Sequence, residues 1–148
     1  MGGERPDWMA EGRARVSTFI VVPDAMRVVR FAEDVFRARL LHAPLHRSDG
    51  RLWNAELAIG DSTILIGDAP AGMTRPGFLY VHVPDVDATF AAAVAAGARP
   101  VQEPGGRFHG ARDGGVEDVA GNLWWIATQV EEVGDEEILR RARLEEGA

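Results

Sequence analysis

The sequence predicts an α+β domain that is built from two copies of one βαβββ unit. The tripeptide Val-Pro-Asp at residues 22–24 recurs at residues 83–85, and a Gly-centred turn at residues 60–61 recurs at residues 121–122. Both pairs are separated by 61 residues. A β-branched stretch precedes each tripeptide and a helical pattern follows it. Because chance would not align two tripeptides and two turns at one spacing, we expect two modules of one design.

The first module is expected at residues 16–68 and begins with a β-branched and aromatic strand at residues 16–22. Asp24 is then placed to cap a helix, because apolar residues recur at helical spacing after it. The remaining elements of this module are strands at residues 40–46, 51–59 and 62–67, the last two joined by a tight hairpin.

The second module is expected at residues 78–129 and repeats the series with a strand at residues 78–83 and a helix capped by Asp85. Residues 1–14 show no periodicity, which predicts a flexible arm in front of one domain at residues 15–148. The other expected segments are a short strand at 99–103, a loop at 104–106, strands at 114–118 and 123–128, and a terminal helix at 135–145 capped by Asp135.

Composition excludes several classes of function. The 148 residues carry a net charge of −7, so the surface should repel the phosphates of nucleic acids and is compatible with a cationic ligand. The chain has no Cys, so it has neither disulfides nor thiolate metal sites. It has no apolar run of membrane-spanning length and no signal-peptide pattern. We therefore expect a cytoplasmic protein without nucleic-acid or membrane partners.

The two modules, set edge to edge, are expected to form a concave mixed sheet whose trough is a small-molecule site. Alternate side chains of a strand point to opposite faces, so each strand contributes one set to its helix and another to the trough. The third strand is expected to place Trp53, Ala55 and Leu57 toward its helix. The side chains expected to line the trough are Ser17, Phe19, Val21, Asn54, Glu56, Phe78, Tyr80, His82, Leu123, Trp125 and Ala127.

The two-module plan resembles the vicinal oxygen chelate superfamily, which includes glyoxalase I, extradiol dioxygenases, epimerases, and fosfomycin and bleomycin resistance proteins. The resemblance is carried by the Val-Pro-Asp turns and by an Asp-x-x-Gly-Asn turn at residues 118–122. Residues 54–62 and 108–118 resemble its PhnB-like branch. The resemblance covers about residues 16–141 and implies a glyoxalase-like fold. It also implies a homodimer, since members of this size commonly dimerise.

The positions that bind a metal in this superfamily carry unsuitable side chains here. Metal-using members place His, Glu or Gln at four trough positions, which correspond to Ser17, Ile64 or Leu65, Phe78 and Trp125. None of these is a good ligand for a divalent metal, so we expect no metal and no cofactor. Three positions typical of the branch also differ, with Asn54, His109 and Ala111 standing where His, Trp and Asp are usual.

Aromatic side chains of the expected trough predict a site that stacks a planar ligand and attracts a cation. Bleomycin-type binding proteins work in this way, by sequestration without turnover. The alternative is that the rings pack in the core, and it applies first to Trp53 and Trp124. The aromatic candidates are Phe19, Trp53, Phe78, Tyr80 and Trp125, of which Trp125 is the best ligand-facing one.

Polar candidates for the site lie on the same strands and in the loop before the seventh strand. His82 could act as a general base with Glu56 as its partner, because imidazole titrates near neutral pH. Otherwise His82 is a hydrogen-bonded wall residue beside Tyr80. Arg112 could clamp a carboxylate or phosphate of the ligand, or form an ion pair with Asp113 or Glu117. His109 lies in the same loop and is a further candidate.

These residues, with the resemblance, predict a metal-independent protein of the glyoxalase/bleomycin-resistance type that sequesters an aromatic or cationic small molecule. One alternative is a lyase, isomerase or dioxygenase of the same superfamily. It would use Glu56 and His82 as an acid–base pair, or a metal held by His82, Glu56 and His109. Another alternative is a regulatory subunit whose trough binds no ligand. Fold alone does not decide among them.

Overall fold

The structure is a computed structural model that describes residues 3–147. Over these residues it has three helices, α1 (Met26–Phe36), α2 (Val86–Ala95) and α3 (Asp135–Glu146). Its nine strands are β1 (Thr18–Val22), β2 (Arg39–Leu40), β3 (Leu45–His46), β4 (Leu52–Ile59), β5 (Ser62–Asp68), β6 (Phe78–His82), β7 (Arg99–Gly106), β8 (Ala111–Glu117) and β9 (Leu123–Gln129). No helix in the described range is long and apolar enough to cross a membrane.

The chain divides into two compact units, Met1–Gly77 and Phe78–Ala148. The first unit contains a five-stranded sheet in the order β1-β5-β4-β2, with β3 paired to β4. The second contains a four-stranded sheet in the order β6-β9-β8-β7. In both units the first strand runs parallel to the last, and the other strands pair antiparallel. Each unit thus has a mixed sheet and a helix that follows its first strand, which confirms the α+β class.

Each sheet buries one face beside the helix of its own unit. In the first unit the amphipathic helix α1 packs near β4 and β5, and Ile20, Leu57 and Ile66 are fully buried. In the second unit Trp124 and Ile126 of β9 are fully buried beside α2. Alternation then turns the intervening side chains to the opposite face. We call that opposite face of each sheet the helix-distal face.

Both units tie the start of their helix to the end of their last strand. At the end of β5 the Asp68 carboxylate accepts a hydrogen bond from Ala25 N at 2.8 Å. Near the end of β9 the Thr128 hydroxyl accepts one from Val86 N at 3.0 Å and donates one to Val83 O at 2.8 Å. The first N–H groups of a helix lack partners within it, so such acceptors stabilise it. The repeat therefore preserves a structural role although the two side chains differ.

The predicted helix caps are confirmed at one position and wrong at two. The Asp85 carboxylate accepts a hydrogen bond from the third residue of its helix at 3.1 Å, as predicted. Asp24 is not a cap, because it has a left-handed φ of 53° and lies one residue too early; Asp68 supplies the acceptor instead. Asp135 is already the first residue of α3, and its N-cap is Gly134.

Some of the predicted strand boundaries differ from the structure. The strand expected at residues 40–46 is two short strands, β2 and β3, which pair separately with β4. The loop expected at residues 104–106 is wrong, because β7 continues to Gly106 and pairs with β8. The β7–β8 register shifts between Gln102 and Gly105, where Pro104 cannot donate to the ladder.

Trp53 departs from the predicted alternation. Leu52 and Ala55 are both buried although they are three residues apart, so β4 is not regular between them. The β3–β4 register also shifts at this point, and regular pairing with β5 begins only at Ala55. Trp53 consequently turns outward and is 51% exposed, so the prediction that it faces the helix is wrong.

The turn between β8 and β9 is organised by the buried carboxylate of Asp118. It accepts hydrogen bonds of 2.8–3.1 Å from the backbone N–H groups of Ala120 and Asn122, from Asn122 Nδ2 and from Trp124 Nε1. Gly121 completes the turn with a φ of 88°, which favours glycine. The Asp-x-x-Gly-Asn motif is thus structural: it fixes where β9 begins.

Candidate functional site

The helix-distal face of the second sheet carries three aromatic rings. Phe78 and Tyr80 project from β6, and Trp125 projects from β9 as the register partner of Tyr80. The rings of Phe78 and Trp125 stack with centroids 5.2 Å apart and an interplanar angle of 29°. Phe78 is 65% exposed, so a ligand can reach this pair. We call Phe78, Tyr80 and Trp125 the aromatic platform.

A buried carboxylate adjoins the aromatic platform. Asp113 is 4% exposed, and its two oxygens accept hydrogen bonds from Arg107 Nε at 2.6 Å and from the Tyr80 hydroxyl at 3.2 Å. Arg107 Nη2 also donates to the Asp113 backbone oxygen at 2.9 Å. Burial, and then the Asp113 charge, raise the pKa of Tyr80. The phenol therefore stays protonated at neutral pH and acts as a donor, and the carboxylate is already balanced by Arg107.

The sequence did not single out Arg107 and Asp113 as site residues. The expected seventh strand began at residue 114, whereas β8 begins at Ala111. With the earlier start, alternation places Asp113 on the same face as Gly115, the register partner of Trp125. The sequence signal that points to this site residue is the acidic side chain at position 113, two residues before Gly115.

The two candidate histidines of this unit lie beside the same groups. The His82 ring meets the Tyr80 ring edge-on, with centroids 5.4 Å apart. His109 Nε2 is 3.9 Å from an Asp113 oxygen, which is too long for a hydrogen bond. The structure thus brings His82, Tyr80, Asp113 and His109 to one region of the second unit. The pairing of His82 with Glu56, a residue of the first unit, stays a prediction.

Arg112 has a different partner from those predicted. Its guanidinium forms two hydrogen bonds of 2.8 Å to the carboxylate of Asp87 on α2. An ion pair with Asp113 or Glu117 is therefore wrong. The cause is alternation, since Arg112 and Asp113 point to opposite faces of β8 and only Asp113 shares the face of the platform. The two N–H groups that Arg112 would need to bind a ligand carboxylate or phosphate are thus already engaged by Asp87.

In the first unit, a register row crosses the helix-distal face from β1 to β4. Phe19 pairs with Leu65, and Leu65 pairs with Glu56. The Glu56 carboxylate contacts Arg13 Nε at 2.6 Å and His42 Nε2 at 3.3 Å. Arg13 comes from the segment before β1, which we expected to be a flexible arm. The row therefore places an aromatic ring, an aliphatic side chain and a paired carboxylate side by side.

The contacts around Glu56 shift its own pKa and that of His42 in opposite directions. The Arg13 guanidinium, and to a lesser extent His42, lower the pKa of Glu56 against the opposing effect of burial. The Ala43 carbonyl and then the Glu56 carboxylate raise the pKa of His42. A general base works best with a pKa near the working pH, so the lowered pKa of Glu56 makes it a poor proton acceptor.

The outward ring of Trp53 is covered by an arginine of the same unit. The Arg47 guanidinium carbon lies 3.4 Å from the ring centroid, which is a cation–π contact. A ligand that stacked on this face of Trp53 would have to displace Arg47. Asn54, its neighbour in β4, is half-buried and pairs with Leu45 of β3.

The residues at the four metal positions of the superfamily do not fit a metal. On β5 the helix-distal residue is Leu65, since Ile64 is buried in the core. Leu65, Phe78 and Trp125 offer no donor atom that binds a divalent cation, and Ser17 shares a hydrogen bond with Thr63. Within residues 3–147, no three His, Asp or Glu side chains form a group that could hold a metal ion.

Solved structures share this fold. TioX from Micromonospora sp. ML1 is 27% identical and superposes with a TM-score of 0.64, over 79% of this chain and 99% of TioX. The fosfomycin resistance protein FosX from Mesorhizobium loti is 20% identical, with a TM-score of 0.60 over 88% of this chain and 99% of its own. These likenesses confirm the predicted glyoxalase-like fold.

Sequence comparisons identify a relative and the family. An uncharacterized protein of Mycobacterium tuberculosis (strain ATCC 25618 / H37Rv) is 31% identical over 135 residues, which is 83% of this chain and 79% of that protein. Residues 14–126 match the Glyoxalase/Bleomycin resistance protein/Dioxygenase superfamily. The chain belongs to the Glyoxalase/Bleomycin resistance protein/Dioxygenase superfamily.

Proposed function

We propose that the protein is a metal-independent binding protein that sequesters a planar aromatic small molecule, neutral or cationic, on the aromatic platform. The observation that carries the proposal is the stacked pair of Phe78 and Trp125 on the helix-distal face. These are two of the positions where metal-using members of the superfamily carry ligands. Here two stacked rings stand in place of side chains with metal-binding atoms, so these positions are better suited to stacking on a planar ligand than to chelating a metal.

The preference for charge follows from the rings rather than from a carboxylate. Each aromatic contact with a ligand contributes about 0.5–1.5 kcal/mol beyond the apolar area that it buries. A cation gains further from the ring faces. Asp113 adds little attraction because Arg107 already balances its charge at 2.6 Å. We therefore expect a planar cation to bind somewhat more tightly than its neutral analogue, and both to bind measurably.

A pair of tryptophan variants tests this proposal. N-methylquinolinium and neutral quinoline are matched probes, and their affinities are measured by isothermal titration calorimetry. Trp125→Ala should weaken both probes at least about tenfold, since it removes one face of the stack. Trp53→Ala is the matched control, an exposed tryptophan outside the platform, and should leave both affinities unchanged. Equal effects of the two variants, or no binding of either probe, would contradict the proposal.

We also propose three finer features that rest on the sequence. The stretches at residues 54–62 and 108–118 support the PhnB-like branch. Size and family support a homodimer, and a cytoplasmic location is the third feature that we propose. Light scattering coupled to gel filtration tests the homodimer directly, because a monomeric mass at micromolar concentration would contradict it.

A further inference from the structure

The first unit contains a charged group on its helix-distal face that the proposed function does not use. Glu56 lies at the end of the row that begins with Phe19 and Leu65, and its side chain is 21% exposed. Its Oε2 atom accepts a hydrogen bond from Arg13 Nε, and Arg13 belongs to a segment without helix or strand. The carboxylate is thus occupied by a guanidinium from the chain's own N-terminal segment.

We propose that Glu56 and its neighbours in the first unit bind a small molecule that carries a guanidinium group, and that Arg13 is the built-in occupant of this site. The inference goes beyond the proposed function, because the site lies in the first unit and uses none of the platform residues. Leu65, the register partner of Glu56, offers an apolar surface next to the carboxylate, and Phe19, which is 47% exposed, offers an aromatic face one strand further along the row. His42 Nε2, at 3.3 Å from Oε1, closes the other side of the carboxylate.

The contact between Arg13 and Glu56 is not the strongest that a guanidinium can make with a carboxylate. Arg13 reaches Glu56 through Nε alone, and its Nη1 atom donates instead to the Glu11 backbone oxygen at 2.6 Å. A free guanidinium can present two parallel N–H groups to a carboxylate, which is the stronger geometry. The chain is anchored just after Arg13, where Ala14 N donates to the Thr63 hydroxyl at 3.4 Å. Arg13 can therefore leave while residues from Ala14 onward stay in place.

Methylguanidinium is the probe for this site, with N-methylurea as its uncharged analogue of the same size. Binding is followed by the shifts of backbone amide signals of the full chain, since those of Thr63 and Leu65 report the first unit. Arg13→Ala should tighten methylguanidinium binding by about fivefold, because partly exposed ion pairs contribute up to about 1 kcal/mol. Arg15→Ala is the matched control, since Arg15 lies over Trp8 and should not compete.

The remaining variants decide between a site and a structural ion pair. Glu56→Gln should abolish saturable shifts, and so should the double variant Arg13→Ala/Glu56→Gln, which leaves no guanidinium unpaired. Unchanged amide signals of Ile20 and Val28, in the core of the first unit, show that each variant is folded. Equal affinity in Arg13→Ala and Arg15→Ala, or equal shifts with N-methylurea, would overturn the inference. Neither result affects the aromatic platform, which is tested separately through Trp125.

Discussion

The indole ring of Trp125 occupies the space where a side chain at Gly115 would stand. A Cβ atom at position 115 would lie closer than 3.0 Å to three carbons of the ring. The two residues are register partners on β8 and β9. The absent side chain thus allows the ring to lie over β8, in the orientation in which it stacks on Phe78.

Gly115→Ala should destabilise the protein by about 1–3 kcal/mol, because either the ring or the strand must shift to admit the methyl group. It should also weaken N-methylquinolinium binding, since the stack with Phe78 loses its geometry. Urea unfolding measures the first effect and calorimetry the second. Gly106→Ala is the matched control on the neighbouring strand, where a Cβ atom meets nothing within 4 Å. It should change neither quantity; an unaffected stack in Gly115→Ala would refute the role of Gly115.

Arg107 should contribute more to stability than Arg112, although both are arginines in carboxylate pairs. Arg107→Met leaves the buried carboxylate of Asp113 without its counter-charge and should cost about 2–4 kcal/mol, less than a fully buried pair because Arg107 is partly exposed. Arg112→Met breaks a pair with the exposed Asp87, where solvent screens the charges, and should cost clearly less. Urea unfolding of the two variants checks the order, and the reverse order would show that Asp113 is not the buried partner.

The interaction between His42 and Glu56 should depend on pH with a defined sign. The pKa of His42 is raised above its ordinary value of 6.5, so the protonated imidazole stabilises the fold. That contribution is complete below pH 6.5 and is lost as the pH rises through the raised pKa. The stability difference between the wild type and His42→Gln should therefore shrink on going from weakly acidic to alkaline pH.

A titration of the His42 ring signals by NMR tests the cause. Glu56→Gln should lower the pKa of His42 toward 6.5 without reaching it, because the Ala43 carbonyl, the larger cause, remains. An unchanged pKa of His42 in Glu56→Gln would show that the 3.3 Å contact has no electrostatic effect.

The fold and the faces of the regular strands could be predicted because they depend on local patterns. The repeat at one spacing identifies the two modules, and period-two alternation places Phe19, Phe78 and Trp125 on the helix-distal faces. Trp53 could not be placed, because the irregular pairing of β4 breaks that period and sequence does not reveal the irregularity.

The polar neighbours of the platform were harder to predict. The Asp113–Arg107 pair joins β8 to the loop before it, and it becomes visible only once β8 is known to begin at Ala111. The contact between Arg13 and Glu56 joins residues 43 positions apart, one of them in a segment without any pattern. Such contacts are set by tertiary packing, which propensity and periodicity do not encode.

Metal independence of binding tests the central proposal most directly. The measurement is the calorimetric affinity of N-methylquinolinium for protein dialysed against EDTA, repeated after addition of excess Mn²⁺ or Zn²⁺, with Trp125→Ala in parallel. We predict the same affinity in all three conditions and a loss of at least about tenfold in Trp125→Ala. Binding that requires added metal, or that is indifferent to Trp125, would contradict a stacking site on the aromatic platform.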